Sequence, residues 1–114
     1  MAVEKPTESL AIGWTTFEKL EDAQKCAKAL LEENLAFCVQ VESPVQSLYW
    51  WKGKVEDGLE YPVRVKHVAA MDGKIQEWLE KEHPYETPQW ISIKACAVLP
   101  EYHSWSLQNF QLPA

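Results

Sequence analysis

The chain reads as one α+β domain of the split βαβ, ferredoxin-like class, and three observations predict it. With 114 residues, 46% hydrophobic and 25% charged, it is long enough for one core and too short for two. Two stretches, 20–31 and 71–79, carry apolar side chains at helical spacing, while the stretches between them alternate or run apolar over strand-like lengths. Taken in order they give β, α, β, β, α, β and a short final α, the split βαβ pattern.

Residues 1–9 are polar, include Pro6 and show no period, so they are expected to form a flexible N-terminal tail. The domain is expected over 10–107 and a loose C-terminus over 108–114. Residues 10–15 are short, apolar and bounded by polar neighbours, as a strand requires. Thr15 and Glu18 have capping-box spacing, and Leu20, Ala23, Ala27, Leu30 and Leu31 then form a helical stripe. Asn34 suits the left-handed end of that helix. Residues 35–41 are strand formers, interrupted by Ser43 and Pro44. Residues 45–51 alternate, with Val45, Ser47, Tyr49 and Trp51 on one face and Gln46, Leu48 and Trp50 on the other. Lys52-Gly53-Lys54 predicts a turn. The extended run 55–68 is expected to break at Asp57-Gly58 and at Pro62, which lacks a ladder donor. Met71, Ile75, Trp78 and Leu79 give the second helix, with Asp72 as its cap and His83-Pro84 as its stop. Residues 89–98 predict a strand with Ile91, Ile93, Ala95 and Ala97 on one apolar face, and Pro100 opens a last helix through Tyr102, Trp105 and Leu107.

Eleven Lys and Arg against seventeen Asp and Glu leave a net charge of −6, which disfavours nucleic-acid phosphates and anionic lipid. No run approaches the roughly 18 apolar residues of a membrane span, and the start lacks a basic region followed by an apolar one, so the expected location is cytoplasmic. Three cysteines, Cys26, Cys38 and Cys96, without C-x-x-C spacing read as reduced, buried small hydrophobes. Six tryptophans are many for so small a core and point to oligomerisation.

Nucleophile-elbow, phosphate-loop, dinucleotide and zinc-protease motifs are all missing from the sequence, so an enzyme is not expected. The thiols and His67, His83 and His103 are scattered along the chain, without metal-ligand spacing. The densest polar segment is His83-Pro84-Tyr85-Glu86-Thr87-Pro88, where two prolines stiffen a turn bearing imidazole, phenol and carboxylate. It is either a binding site or a pre-organised connection between helix and strand. Tyr49, Trp50 and Trp51 put aromatics on both faces of one strand, which favours an interface. Lys66 is either a solvated strand end or a charge aimed into a cleft, where Glu86 is the acidic partner to expect.

Three stretches, residues 29–39 (ALLEENLAFCV), 47–56 (SLYWWKGKVE) and 83–88 (HPYETP), together resemble the CutA divalent-cation-tolerance family. The resemblance spans roughly residues 10–106. It implies a homotrimer whose subunits continue one another's sheets, a role in copper or other divalent-cation tolerance, and no catalysed reaction. Trp51, Lys66, Tyr85 and Glu86 are the implied lining of a cleft between subunits, Tyr49, Trp50 and Trp51 are interface residues, and His83 is the metal contact. Bacterial members have a Cys at the end of the first strand and paired His before Pro-Tyr. Here those positions are Trp14, Glu82 and His83, so the implied copper or other cation is weakly bound. The alternative implied by the same resemblance is a PII-like signalling module, with a small organic or anionic effector held by Lys66 and an incidental metal role.

Overall fold

The computed structural model describes residues 8–108. The expected tail residues 1–7 and end residues 109–114 lie outside that span. Its elements are β1 (Leu10–Phe17), α1 (Leu20–Glu32), β2 (Cys38–Val41), β3 (Val45–Trp51), β4 (Lys54–Val68), α2 (Asp72–Glu82), β5 (Ile91–Lys94) and α3 (Pro100–Gln108), with a 3-10 turn, Ala69–Met71, leading into α2. Counting β2 and β3 as one bent strand recovers the predicted order.

All pairings are antiparallel and the sheet runs β2-β4-β1-β5, with β3 continuing along β4. Alternation then separates two faces. On one, Thr15 and Phe17 of β1 and Val63, Val65 and His67 of β4 are buried, as are Ala23, Cys26 and Leu30 of α1 and Ile75 and Leu79 of α2. The other face carries Ile12, Trp14, Arg64, Lys66, Ile91 and Ile93, and the last two are 60% and 58% exposed. The apolar side of β5 therefore points away from the core of the chain. Towards the Leu10 end, the final helix packs Tyr102 and Trp105 edge-on against Phe37.

Both core helices form for the reasons read from their stripes, and α1 ends on Asn34 at φ 58°. Asn34 N–H donates to Leu31 and Leu35 N–H to Leu30, which satisfies carbonyls left open at the helix end and buries Leu35 on Leu30. The start of α1 differs from expectation. Thr15 lies inside β1, which runs on to Phe17, and α1 begins after Lys19 with no side-chain cap. Asp72 is likewise the first residue of α2 and not its cap, which is Met71.

The expected break in β4 is absent. In a strand the N–H and C=O of one residue face the same edge, and the Pro62 carbonyl accepts from Glu42 N–H just past the end of β2. The missing donor of Pro62 thus falls where β2 gives way to β3. Four steps from Val41 to Val45 match three from Val63 to Glu60, so residues 42–44 hold one extra residue, a bulge. Beyond it β3 and β4 form an exposed hairpin closed by Lys52 (φ 49°) and Gly53 (φ 77°), the left-handed pair of a type I′ turn. The hairpin carries exposed Leu48, Tyr49, Trp50, Trp51, Val55 and Leu59 along a molecule 61 Å in its longest dimension. Finally, β5 has four residues where ten were expected. Of the three cysteines only Cys26 is buried, and burial pushes its thiol up to about 12.

Candidate functional site

The rigid turn after α2 is tied to the sheet through its histidine. His83 caps α2, is buried and stacks on Phe17 with ring centroids 4.2 Å apart. Tyr85 N–H donates to Nδ1 at 3.0 Å, so Nε2 carries the proton and donates to the Thr16 carbonyl at 2.9 Å. Both ring nitrogens are engaged. Burial lowers the pKa of His83, with Thr16, Asp22 and Glu60 opposing the shift, and keeps the imidazole neutral. A metal ion could reach His83 only by displacing one of these partners.

Anchored in this way, the turn sets the phenol of Tyr85 on Glu60. Tyr85 O–H donates to Glu60 Oε2 at 2.9 Å and Thr16 Oγ1–H donates to the same oxygen at 2.8 Å, while Ser47 adds a side-chain hydrogen bond. Burial pushes the Glu60 carboxyl up, but the bonds from Ser47, Thr16 and Tyr85, with His83 close by, outweigh it and hold it below the usual range. Tyr85 responds in the opposite sense. Burial first, then Glu60, Glu18 and Tyr49, raises its phenol well above the ordinary value. The result is a carboxylate held ionised under three hydroxyls, at the root of the hairpin. Glu60 was missed in the sequence because nothing near it in the chain marks it; only the alternation that puts Ser47 and Glu60 on one face hints at the pairing.

The remaining predicted residues are spread out within one chain. Glu86 is exposed and forms no ion pair among the described residues, so the expected Lys66–Glu86 pair is not made here. Lys66 pairs in the ladder with Ile12 and Cys38, six residues along β4 from Glu60, and Trp51 sits at the hairpin tip opposite Lys54, six residues the other way. At ~3.3 Å per residue these groups span about 40 Å. Tyr49 lies on the same face of β3 as Ser47, whereas Trp50 lies on the other and is 74% exposed. Trp14 and Glu82, singled out in the sequence by the resemblance, join no metal donor set among the described residues. Among the described residues no three His, Cys, Asp or Glu side chains come close enough to hold an ion.

A second polar centre lies at the start of α2. Asp72 accepts from Ser92 Oγ (2.6 Å), Gln76 Nε2 (2.8 Å), His67 Nε2 (3.1 Å) and Trp90 Nε1 (3.3 Å), which together overcome the upward push of burial and lower its pKa. It ties β4, α2 and β5 together. His67 is fully buried in that network.

An antiparallel sheet with three helices, a projecting hairpin and a histidine-anchored turn defines a small mixed α+β protein. The comparisons identify which one: residues 11–109 match the model of the CutA1 divalent ion tolerance protein family, and the chain belongs to that family. The divalent-cation tolerance protein CutA of Thermotoga maritima is 35% identical over 92 residues, covering 81% of this chain and 90% of that protein. The corresponding protein of Archaeoglobus fulgidus is 34% identical over 81% of this chain and 89% of its own length. The solved structure of CutA from Synechococcus elongatus matches with a TM-score of 0.85 at 30% identity, covering 92% of this chain and 93% of that one. The family is named for tolerance and not for an enzyme activity. No helix among the described residues is long and apolar enough to cross a membrane.

Proposed function

We propose that the chain acts as a cytoplasmic homotrimer in divalent-cation tolerance, without catalysing a reaction, and holds its ligand in clefts between subunits. One observation carries the reading: Trp51, Lys66 and Tyr85 span too great a distance to meet in one chain, while Ile91 and Ile93 on the open sheet face and Leu48, Trp50, Val55 and Leu59 on the hairpin stay exposed. Packing of that face on another copy is the arrangement that removes it from water and gathers those residues. In this reading Tyr49, Trp50 and Trp51 make subunit contacts, and Tyr85 and Glu86 of one copy face Lys66 of another. Copper or another divalent cation binds weakly, with His83 as its contact, because fewer than three side-chain donors of one chain are available to it.

The second reading, a PII-like module for an organic or anionic effector, is favoured by Lys66, a cation on an apolar sheet face with no ion pair among the described residues. Light scattering on the eluted protein tests the assembly. About 39 kDa, three times 13.1 kDa, supports it, and a mass near 13 kDa refutes it. Calorimetric titration with copper and with zinc tests the ligand, and binding left unchanged by His83→Ala removes the role given to His83.

A further inference from the structure

Beside β1, under the first turn of α3, there is a cavity of about 380 Å³, within the roughly 300–1,000 Å³ range of small-molecule sites. Its lining is almost wholly apolar and includes Ile12, Phe37, Ala97, Leu99 and Tyr102. The one charged side chain in the lining is Lys66, whose Nζ lies 5.8 Å from the centroid of the Tyr102 ring. Lys66 forms no ion pair with any Asp or Glu among the described residues. Lys66 is half-buried, and within one chain the tyrosine face is the one group that answers its charge in this lining, which leaves room for a carboxylate.

We propose that this cavity is a binding site for a small monocarboxylic acid with a compact apolar body, the carboxylate on Lys66 and the body against Phe37, Leu99 and Tyr102. A single ammonium suits a single negative charge. Phosphates are recognised by several donors at once, by an arginine fork or by a cradle of backbone N–H groups, and the lining contains neither arginine nor glycine. The net charge of −6 further disfavours multiply charged anions. Two aromatic rings in the lining favour an aryl body over a linear chain. The inference rests on the second reading above for the role of Lys66, and adds a pocket contained within one chain and a ligand class.

Calorimetry with 3-phenylpropanoate, its neutral amide and octanoate as a linear comparison tests this on the intact protein. The acid is expected to bind saturably, the amide about tenfold more weakly, in line with a charge-assisted contact, and octanoate more weakly than 3-phenylpropanoate. Lys66→Gln lowers the affinity by a similar factor, and Ala97→Phe, which fills the cavity from its exposed rim, abolishes binding. Equal affinity for acid and amide, or no saturable binding of any probe, overturns the proposal without needing any variant to fold. Binding lost in Lys66→Gln but retained in Ala97→Phe also overturns it, and moves the anion to the cleft between subunits, leaving that reading intact.

Discussion

Replacing Gly13 with alanine sets two effects of opposite sign against each other. In a strand interior, glycine is worth roughly 0.5–1 kcal/mol less than alanine, so the substitution alone should stabilise. Gly13, however, lies beneath the indole of Trp90: a Cβ there would meet Cη2 and sit 2.5 Å from Cζ2 and 2.8 Å from Cζ3. The ring cannot yield freely, because its Nε1–H is held on Asp72. Overpacking costs about 1–3 kcal/mol and a hydrogen bond to a charged group about 1.5–3. Net of the backbone gain, we expect Gly13→Ala to destabilise by about 2 kcal/mol, a fall in Tm of about 8–15 °C. The decisive measurement is the double-mutant cycle with Trp90→Ala, followed by thermal melts. In the Trp90→Ala background the obstacle is gone, and the same Gly13→Ala change should be neutral or stabilising. If alanine at 13 raises Tm in the wild-type background, or costs as much without the indole as with it, the contact does not restrain this position.

Thr15 tests the same core from the polar side, since its buried Oγ1 has no hydrogen-bond partner among the described residues; Thr15→Val should stabilise by about 1 kcal/mol, and a drop in Tm would reveal a partner for that hydroxyl. Acid should destabilise in two stages. His83 titrates below its ordinary 6.5 in the native state, so the unfolded chain binds more protons and stability falls as pH drops through 6.5 towards the native value. Glu60 and Asp72, lowered from 4.5 and 3.8, add stability that is present above those values and is lost as pH falls through the native ones. Urea midpoints from pH 8 to 3 should therefore decline below 6.5 and then more steeply, with the lower stage weakened in Glu60→Gln; a midpoint that rises between pH 7 and 5 would contradict this assignment.

What could be read from the chain was whatever depends on neighbours in sequence. The stripes of α1 and α2, the left-handed Asn34, the Lys52-Gly53 turn and the start of α3 at Pro100 all follow from local spacing or backbone preference. Thr15 misled because a capping box is a local pattern that a strand can override, once Thr15 and Phe17 find burial against Val63 and Tyr61. Pro62 misled for a geometrical reason, since its cost depends on which edge its nitrogen faces. At the candidate site, the sequence pointed to His83 and Tyr85 through their stiff turn, but their partners, Glu60 and the Thr16 carbonyl, lie 25 and 67 residues away. Lys66 drew notice as a charge among apolar neighbours, and nothing local could tell that Tyr102 covers it.

The extra residue at 42–44 reverses which parity of residue faces the open side of the strand pair. Before the bulge, even-numbered Cys38 and Gln40 share the open face with Lys66 and Arg64; after it, odd-numbered Val45 and Ser47 share that face with Glu60 and Gly58. Deleting any one of these three residues would leave three steps against three, so β2 would run straight into β3 with every pairing beyond it kept. Ser47 would stay beside Glu60, and Tyr49 and Trp51 would keep the side opposite Leu48 and Trp50, but the local bend and added twist of the bulge would be lost. The bulge thus sets the angle at which the hairpin leaves the sheet, and not which side chains the hairpin shows on each face.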